Sequence, residues 1–304
     1  MFAVQFDRFG SAEVLSVGPA PEPHAGPGQV RIRVMAAGVS PVDVALRAGR
    51  SPTAKQLALP HIPGVDAAGI VDEVGADVAG VAVGDELFGA VDVARLGGAS
   101  AEFAVLTFWV TKPTSMPWDQ AGAGGTSIET ATRALDLLDI LDGSTLLIDG
   151  AAGGVGSVAV QLAIARGARV IGTGNPRSQD FIARLGATPI PYGPGLPDRV
   201  GPVDRALDAA GGGALAELIA ITGAAESVVT IADFGAAQLG VRLSLGELGG
   251  QPNGRHGLAT AAQLFEEGRF RLPLRKVFPF SRANEAHALA ERAPRQGKIA
   301  LTAA

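Results

Sequence analysis

Residues 144 to 178 constrain this chain more than any other stretch. Thr145 to Asp149 is a short apolar run, the size of a buried parallel strand. It enters a glycine-rich turn, Gly150-Ala151-Ala152-Gly153-Gly154-Val155-Gly156. Val155, Val158, Ala159, Leu162 and Ala163 then recur at the spacing of one apolar helix face. Gly167 closes that helix, and Ala168 to Gly172 reads as the next strand, so the stretch is one βαβ unit. In such a unit one glycine position makes the tight turn, one lets the backbone approach a pyrophosphate, and one lets helix and strand pack closely. The first helical N–H groups point at the phosphates, with the positive end of the helix dipole behind them. Here the pattern reads Ala151-x-Gly153-x-x-Gly156, with alanine in the first glycine's place. The motif sits between a strand and a helix, the context that gives it meaning. Ala151, Gly153, Gly154, Val155 and Gly156 are therefore expected to contact a dinucleotide.

The end of the second strand narrows the cofactor. NAD sites carry Asp or Glu about 20 residues past the glycines, bonded to the ribose 2′-OH. The matching residues here are Gly172-Thr173-Gly174-Asn175, with no carboxylate to repel a 2′-phosphate, and Arg177 follows. A guanidinium suits a phosphate. Thr173, Gly174, Asn175 and Arg177 are thus expected around the adenosine ribose, and NADPH is the expected cofactor. The alternative for Arg177 is a solvated residue at the start of the next helix.

The 304 residues suffice for two domains. At 47% hydrophobic and 18% charged, the chain can bury a large core. Its net charge of −5, without a basic run, suggests no nucleic-acid partner. The absence of cysteine excludes disulfides, thiolate catalysis and Cys-ligated zinc. Residues 1 to 20 hold no signal-type apolar core, and no apolar run of about 18 residues suggests a membrane span. A cytoplasmic protein is expected.

Residues 1 to 115 read as mostly β. Phe2, Val4 and Phe6 alternate with other residues, as do Val30, Ile32 and Val34. Pro19 to Gly28 reads as a loop. Further strands are predicted at 67–74, 85–88, 101–106 and 109–111, with a short helix from Pro41 to Gly49. Many short strands with Gly and Pro turns suggest a small barrel-like domain. From residue 116 the pattern changes to α/β. Asp119 to Leu138 reads as helix beyond Gly122-Ala-Gly-Gly125. Strands at 188–190, 203–207, 227–231 and 241–244 join the two already placed, giving the six of a doubly wound Rossmann fold. Helices are predicted at 179–185 and 214–221, then at 256–267 and 284–292, the last followed by Pro294; Ile299 to Thr302 is a final strand.

Several segments carry a family resemblance. Pro60-His-Ile-Pro-Gly-Val-Asp-Ala-Ala-Gly-Ile-Val-Asp-Glu-Val-Gly75 and Val83-Gly-Asp-Glu-Leu-Phe-Gly89 resemble the catalytic domain of medium-chain dehydrogenases/reductases. Ala36-Ala-Gly-Val-Ser-Pro-Val-Asp43 and the glycine turn resemble the quinone oxidoreductase (zeta-crystallin-like) branch, as do Phe278-Pro-Phe, Glu285-Ala-His287 and Gly297-Lys-Ile-Ala-Leu301. The resemblance covers nearly the whole chain. It implies a discontinuous GroES-like β-rich catalytic domain, residues 1–115 and 254–304, and a Rossmann domain, residues 116–253. The return of the tail to the first domain comes from the resemblance, not from periodicity.

The zinc enzymes of that superfamily carry a Cys ligand and a His-Glu pair after the glycine matching Gly64. Here the pair is Val65-Asp66, and the four histidines (His24, His61, His256, His287) have no short ligand spacing. No metal site is expected, and each histidine reads as a surface or packing residue. Without a Lewis acid, the expected substrate is an already polarised one, a quinone or an α,β-unsaturated carbonyl. Ser40 and Asp43 are the first-domain candidates beside the nicotinamide; the family often has Asn where Ser40 stands. Asp43 has a second reading, a helix N-terminal carboxylate satisfying free N–H groups. The resemblance also implies that Thr130 faces the cofactor and that Tyr192 contacts the adenosine phosphate region, where it could clamp a 2′-phosphate with Arg177. Loops at Ala210 and at Ala232 to Phe234 follow strand ends, where ligands bind in such sheets. Phe234 either covers the nicotinamide as a lid or packs within its loop.

A homodimer is expected, because Ser227 to Ser244 holds the last strands of the sheet and relatives often pair there. Two other readings stay open. One is a non-catalytic NADPH-binding protein, sensory or structural. The other is an enoyl-thioester reductase, whose carrier would meet the cluster Arg47, Arg50 and Lys55.

Overall fold

The computed structural model describes residues 1–92, 97–293 and 295–303; Pro294 lies outside them. Its contacts divide it into two compact units. One comprises Met1–Thr126, Leu258–Glu266 and Arg271–Ala304; the other comprises Ser127–Gly257 and Glu267–Phe270.

The first unit is built on a six-stranded sheet ordered Leu274–Pro279, Lys298–Thr302, Val30–Val39, Asp66–Val74, Glu86–Val91, Phe103–Thr111. Phe103–Thr111 also pairs back on Val30–Val39, which curls the sheet on itself. Val30, Ile32 and Val34 point inward to a core with Val71, Leu87 and Leu106, as the alternation of the strand dictates. The tail enters this sheet directly: Ile299 to Thr302 lies antiparallel to Val39 to Ala36. Two expectations change. The strands predicted at 101–106 and 109–111 are one strand, Phe103–Thr111. Leu274–Pro279 is a strand that the sequence pattern did not reveal; its residues alternate poorly, as suits an edge strand.

The Gly and Ala runs of this unit serve close packing. The short helix Trp118–Gly122 lies so near the sheet that a Cβ on Gly122 would sit 2.5 Å from the Ala36 carbonyl oxygen. The helix belongs to this unit, and the long helix Gly125–Leu137 begins at its border.

The second unit holds a six-stranded, fully parallel sheet ordered Arg242–Leu243, Val228–Thr230, Arg205–Asp208, Thr145–Asp149, Arg169–Gly174, Thr188–Pro191. Strand order reverses between Thr145–Asp149 and Arg205–Asp208, and ligands of such sheets bind outside the strand ends at that reversal. Helices Gly154–Ala165, Gln179–Arg184 and Leu215–Thr222 supply crossovers. Leu147, Ala206, Leu218 and Val228 share one core, the continuous apolar burial of a sheet covered by helices.

Candidate functional site

The glycine turn begins where Thr145–Asp149 ends. Gly150 takes φ +80, a left-handed conformation that favours glycine. The Gly153 N–H donates to the Gly150 carbonyl at 2.9 Å and closes the turn. Gly156 is the close-packing glycine, since a Cβ there would lie 2.2 Å from the Gly150 carbonyl oxygen. Gly153 differs: its φ of −71 is open to any residue, and an added Cβ would meet only the Gly150 oxygen, at 3.3 Å. Helix Gly154–Ala165 has no side chain capping its N-terminus. Its first-turn amides at Gly154, Val155 and Gly156 therefore lack intrahelical partners. Free amides, the positive helix end and a glycine-rich backbone form a cradle that fits a pyrophosphate.

Thr173 has a different position from the ribose contact expected of it. It is fully buried, and its hydroxyl donates to Asp149 Oδ1. Thr173 Oγ1 accepts the Gly150 N–H at 3.2 Å, and the Thr173 carbonyl accepts the Ala151 N–H at 3.0 Å. Thr173 thus braces the turn from behind. Burial pushes the Asp149 carboxyl up, the Thr173 hydroxyl opposes that shift, and the charges of Asp208 and Glu217 add to it.

Asp208 and Thr230 belong to no sequence motif, yet they shape the expected cofactor loops. Asp208 Oδ1 accepts the N–H groups of Ala210 and Gly211, both at 2.9 Å. Asp208 Oδ2 accepts the Thr230 hydroxyl at 2.7 Å, and Thr230 Oγ1 accepts the N–H groups of Ala232 at 3.1 Å and Asp233 at 3.0 Å. The available signal was polar residues ending otherwise apolar strands, Asp149, Asp208 and Thr230 alike. Phe234 is 72% exposed, so it does not pack within its loop.

Around the strand end at Gly174, Asn175 Oδ1 accepts the Arg177 N–H at 2.8 Å and leaves the Arg177 side chain exposed. The Tyr192 N–H donates to the Gly174 carbonyl at 3.1 Å, which brings Tyr192, an exposed residue, to the same strand end. Arg199 fixes the loop after Tyr192 through the carbonyls of Gly193 and Pro194, at 2.9 and 2.7 Å.

Thr130 is bonded to its helix neighbours. Its hydroxyl donates to Glu129 Oε2 at 3.1 Å and accepts from Arg133 Nη2 at 3.3 Å. Glu129 Oε1 accepts Arg133 Nε at 2.9 Å and the Gly254 N–H at 3.0 Å, and Arg133 Nη1 contacts Ser244 Oγ.

The first unit brings Ser40 and Asp43 together at the start of helix Pro41–Arg47. The Ser40 N–H donates to Asp43 Oδ2 at 2.7 Å, and the Gly64 N–H donates to Asp43 Oδ1 at 3.2 Å. Both carboxyl oxygens are thus taken by backbone donors, the helix N-terminal arrangement. Burial pushes the Asp43 carboxyl up to about 7; the nearby Asp66 charge adds, while the two N–H groups and Lys298 oppose. Ser40 Oγ accepts Lys298 Nζ at 2.6 Å, and Lys298 Nζ also donates to Asp66 Oδ2 at 3.1 Å. Asp66 Oδ1 accepts the Thr126 N–H at 2.6 Å. Asp66 and Lys298 lie in segments that resemble the family, but nothing in their spacing ties them to Ser40.

The basic cluster considered for a carrier loses a member: Arg47 is fully buried and ion-paired with Glu291. His287 is buried, and burial, with the Arg47 charge, lowers it to about 3. His24 lies at the surface against Glu73, and His256 against Asp136. Among the described residues, no group of three or more His, Asp or Glu is placed to hold a metal ion.

A GroES-like domain joined to a parallel dinucleotide-binding sheet defines a class of nicotinamide-dependent oxidoreductases, and comparison with known proteins agrees. Residues 26–112 match the alcohol dehydrogenase GroES-like domain, and residues 185–301 match the family described as zinc-binding dehydrogenase. The quinone oxidoreductase of Rattus norvegicus is 37% identical over 196 residues, 62% of this chain and 57% of the relative. The 2-methylene-furan-3-one reductase of Solanum lycopersicum is 33% identical over 197 residues, 62% of this chain and 50% of the relative. The chain thus spans about half the length of these curated relatives. The structure of the quinone oxidoreductase from Coxiella burnetii superposes with a TM-score of 0.88 at 30% identity, covering 100% of this chain and 99% of that one. The chain belongs to the medium-chain dehydrogenase/reductase family, in its quinone oxidoreductase branch. That fold implies a nicotinamide cofactor. Among the described residues, no helix is long and apolar enough to cross a membrane.

Proposed function

We propose that the protein is an NADPH-dependent, zinc-independent reductase of quinones or α,β-unsaturated carbonyls, acting as a cytoplasmic homodimer. The observation that carries the reading is the uncapped, glycine-rich turn Gly153 to Gly156, whose free amides at Gly154, Val155 and Gly156 fit a pyrophosphate. Bound there, the reduced nicotinamide supplies hydride. Gly154, Val155 and Gly156 hold the diphosphate through their free amides, and Ala151 and Gly153 shape the turn beneath it. Exposed Arg177, beside Gly174 and Asn175, supports NADPH over NADH, because its guanidinium is free to meet a 2′-phosphate at a strand end that lacks a carboxylate. Tyr192 stands at the same strand end and completes that clamp. Ala210, Ala232 and Phe234 take the nicotinamide end. Ser40 meets the substrate oxygen, with Asp43 fixing the turn that carries it. Thr130 has a supporting role through Glu129 and Arg133. The dimer reading draws on the sheet edge at Arg242–Leu243, flanked by exposed Leu239, Leu245 and Leu248.

Reduction of a panel of small quinones and enones, with NADPH and NADH side by side, tests the activity. We expect turnover of at least one electron-poor acceptor with a preference for NADPH, without inhibition by coenzyme A thioesters. The absence of turnover with every acceptor, despite bound nucleotide, would leave the non-catalytic reading standing. Light scattering of the eluting protein tests the dimer; a monomeric mass removes it.

A further inference from the structure

Lys298 is an ammonium buried to 4% exposure inside the first unit, and nothing in the reading so far uses it. Among the described residues its hydrogen-bond partners are Ser40 Oγ and Asp66 Oδ2. Burying an ammonium with a carboxylate is rarely a net gain in stability, since desolvation offsets the attraction. The geometry therefore asks what else the charge does. Lys298 Nζ donates to Ser40 Oγ at 2.6 Å, a short, charge-assisted contact. The hydroxyl has one proton of its own, and it donates to Asp66 Oδ2 at 3.4 Å, well beyond the usual length of an O–H···O bond. Asp66 is meanwhile held by Lys298 and by the Thr126 N–H. Lys298 thus fills one lone pair of the serine oxygen tightly, while the serine proton is bound loosely and free to turn toward a better acceptor.

We propose that Lys298 is the residue that makes Ser40 a proton donor, relaying a proton through the Ser40 hydroxyl to the substrate. The inference rests on the reductase reading above. Hydride arriving on a quinone or enone leaves a negative charge on the substrate oxygen. The Ser40 Oγ–H bond breaks and an O–H bond forms on that oxygen. The serine oxygen takes a proton from Lys298 Nζ, so no free alkoxide builds up. Lys298, left as an amine beside Asp66, regains a proton from water. One proton from solvent is consumed in all, and with the hydride it completes a two-electron reduction. Lys298 acts through Ser40 and is a positioning and relay residue; Ser40 is the group that touches substrate.

The test uses Lys298→Met, Ser40→Ala, Ser40→Thr and the double variant K298M/S40A in the 304-residue chain. Thermal melts and NADPH titration check each for folding and cofactor binding. We expect K298M and S40A each to lose roughly 10²-fold in single-turnover rate, the size of a lost general acid. The NADPH affinity should not move. The double variant should be no slower than either single, because both act in one relay, and S40T, which keeps the hydroxyl, should recover at least about tenfold over S40A. A second readout needs no turnover. The chain has only four lysines, Lys55, Lys112, Lys276 and Lys298, so ¹⁵N-lysine labelling gives a sparse ammonium spectrum. The Lys298 signal, assigned by its loss in K298M, should shift in S40A and return toward its place in S40T. A K298M protein that turns over within threefold of wild type, or a Lys298 signal indifferent to S40A, overturns the relay. Wild-type protein that reduces no acceptor overturns the activity itself, a different outcome.

Discussion

Two glycines three residues apart should respond in opposite ways to the same methyl group. At Gly156 an added Cβ would lie 2.2 Å from the Gly150 carbonyl oxygen and 2.9 Å from Ala151 Cα. That is about 1 Å inside normal contact, and both neighbours are backbone, so neither can rotate away. Gly156→Ala should cost about 3 kcal/mol, the upper end for overpacking, and lower the melting temperature by roughly 6–12 °C. At Gly153 the added Cβ meets only the Gly150 oxygen at 3.3 Å, and φ is −71. Gly153→Ala should therefore leave stability within about 0.5 kcal/mol of wild type. The methyl group would, however, stand where the pyrophosphate approaches. Loss of one or two amide–phosphate bonds, at ~1.5–3 kcal/mol each, should weaken NADPH by about 10²-fold. Differential scanning calorimetry and nucleotide titration of both variants provide the assay. A G153A protein that melts like wild type and binds NADPH as tightly would refute the pyrophosphate placement; an unshifted melt for G156A would refute the close packing of the turn.

Three further outcomes are expected. Asp43 has its folded-state value raised from 3.8 to about 7, so the native protein holds that proton where the unfolded chain has lost it; stability should fall as pH rises between about 4 and 7 and level off above. Asp43→Asn should remove that slope in urea melts, and parallel profiles for the two proteins would contradict it. Thr173→Val leaves a buried Asp149 oxygen and the Gly150 N–H unpaired, a cost of about 2 kcal/mol; T173S should restore the melt, and a stable T173V would show that Thr173 does not brace the turn. Arg177→Glu should weaken NADPH by at least about tenfold, by exchanging attraction for repulsion at the 2′-phosphate, with NADH binding unchanged; equal effects on both nucleotides would remove Arg177 from the clamp.

What the sequence disclosed follows from where its signals are local. The strand, turn and helix from Thr145 to Ala165 carry a self-contained pattern, and the structure places them within a residue or so of expectation. The six parallel strands were legible for the same reason: apolar runs bounded by glycine. The edge strand Leu274–Pro279 was not, because an edge position relaxes the demand for apolar residues. The site was less legible than the fold. Ser40 and Lys298 are joined by a hydrogen bond across 258 positions of sequence, and no periodicity reports a contact of that separation. Thr173 and Thr130 look like free hydroxyls on paper. Only the partners Asp149, Glu129 and Arg133 reveal that their bonds are spent within the fold.

The most direct test of the central claim is a single-turnover experiment. The protein is loaded with one equivalent of NADPH, mixed with a small benzoquinone or enone, and followed for both nucleotide oxidation and acceptor reduction. NADPH and acceptor should fall together, one acceptor reduced for each NADPH, with G153A failing at the binding step. Tight NADPH binding with no acceptor consumed, for any member of the panel, would contradict it.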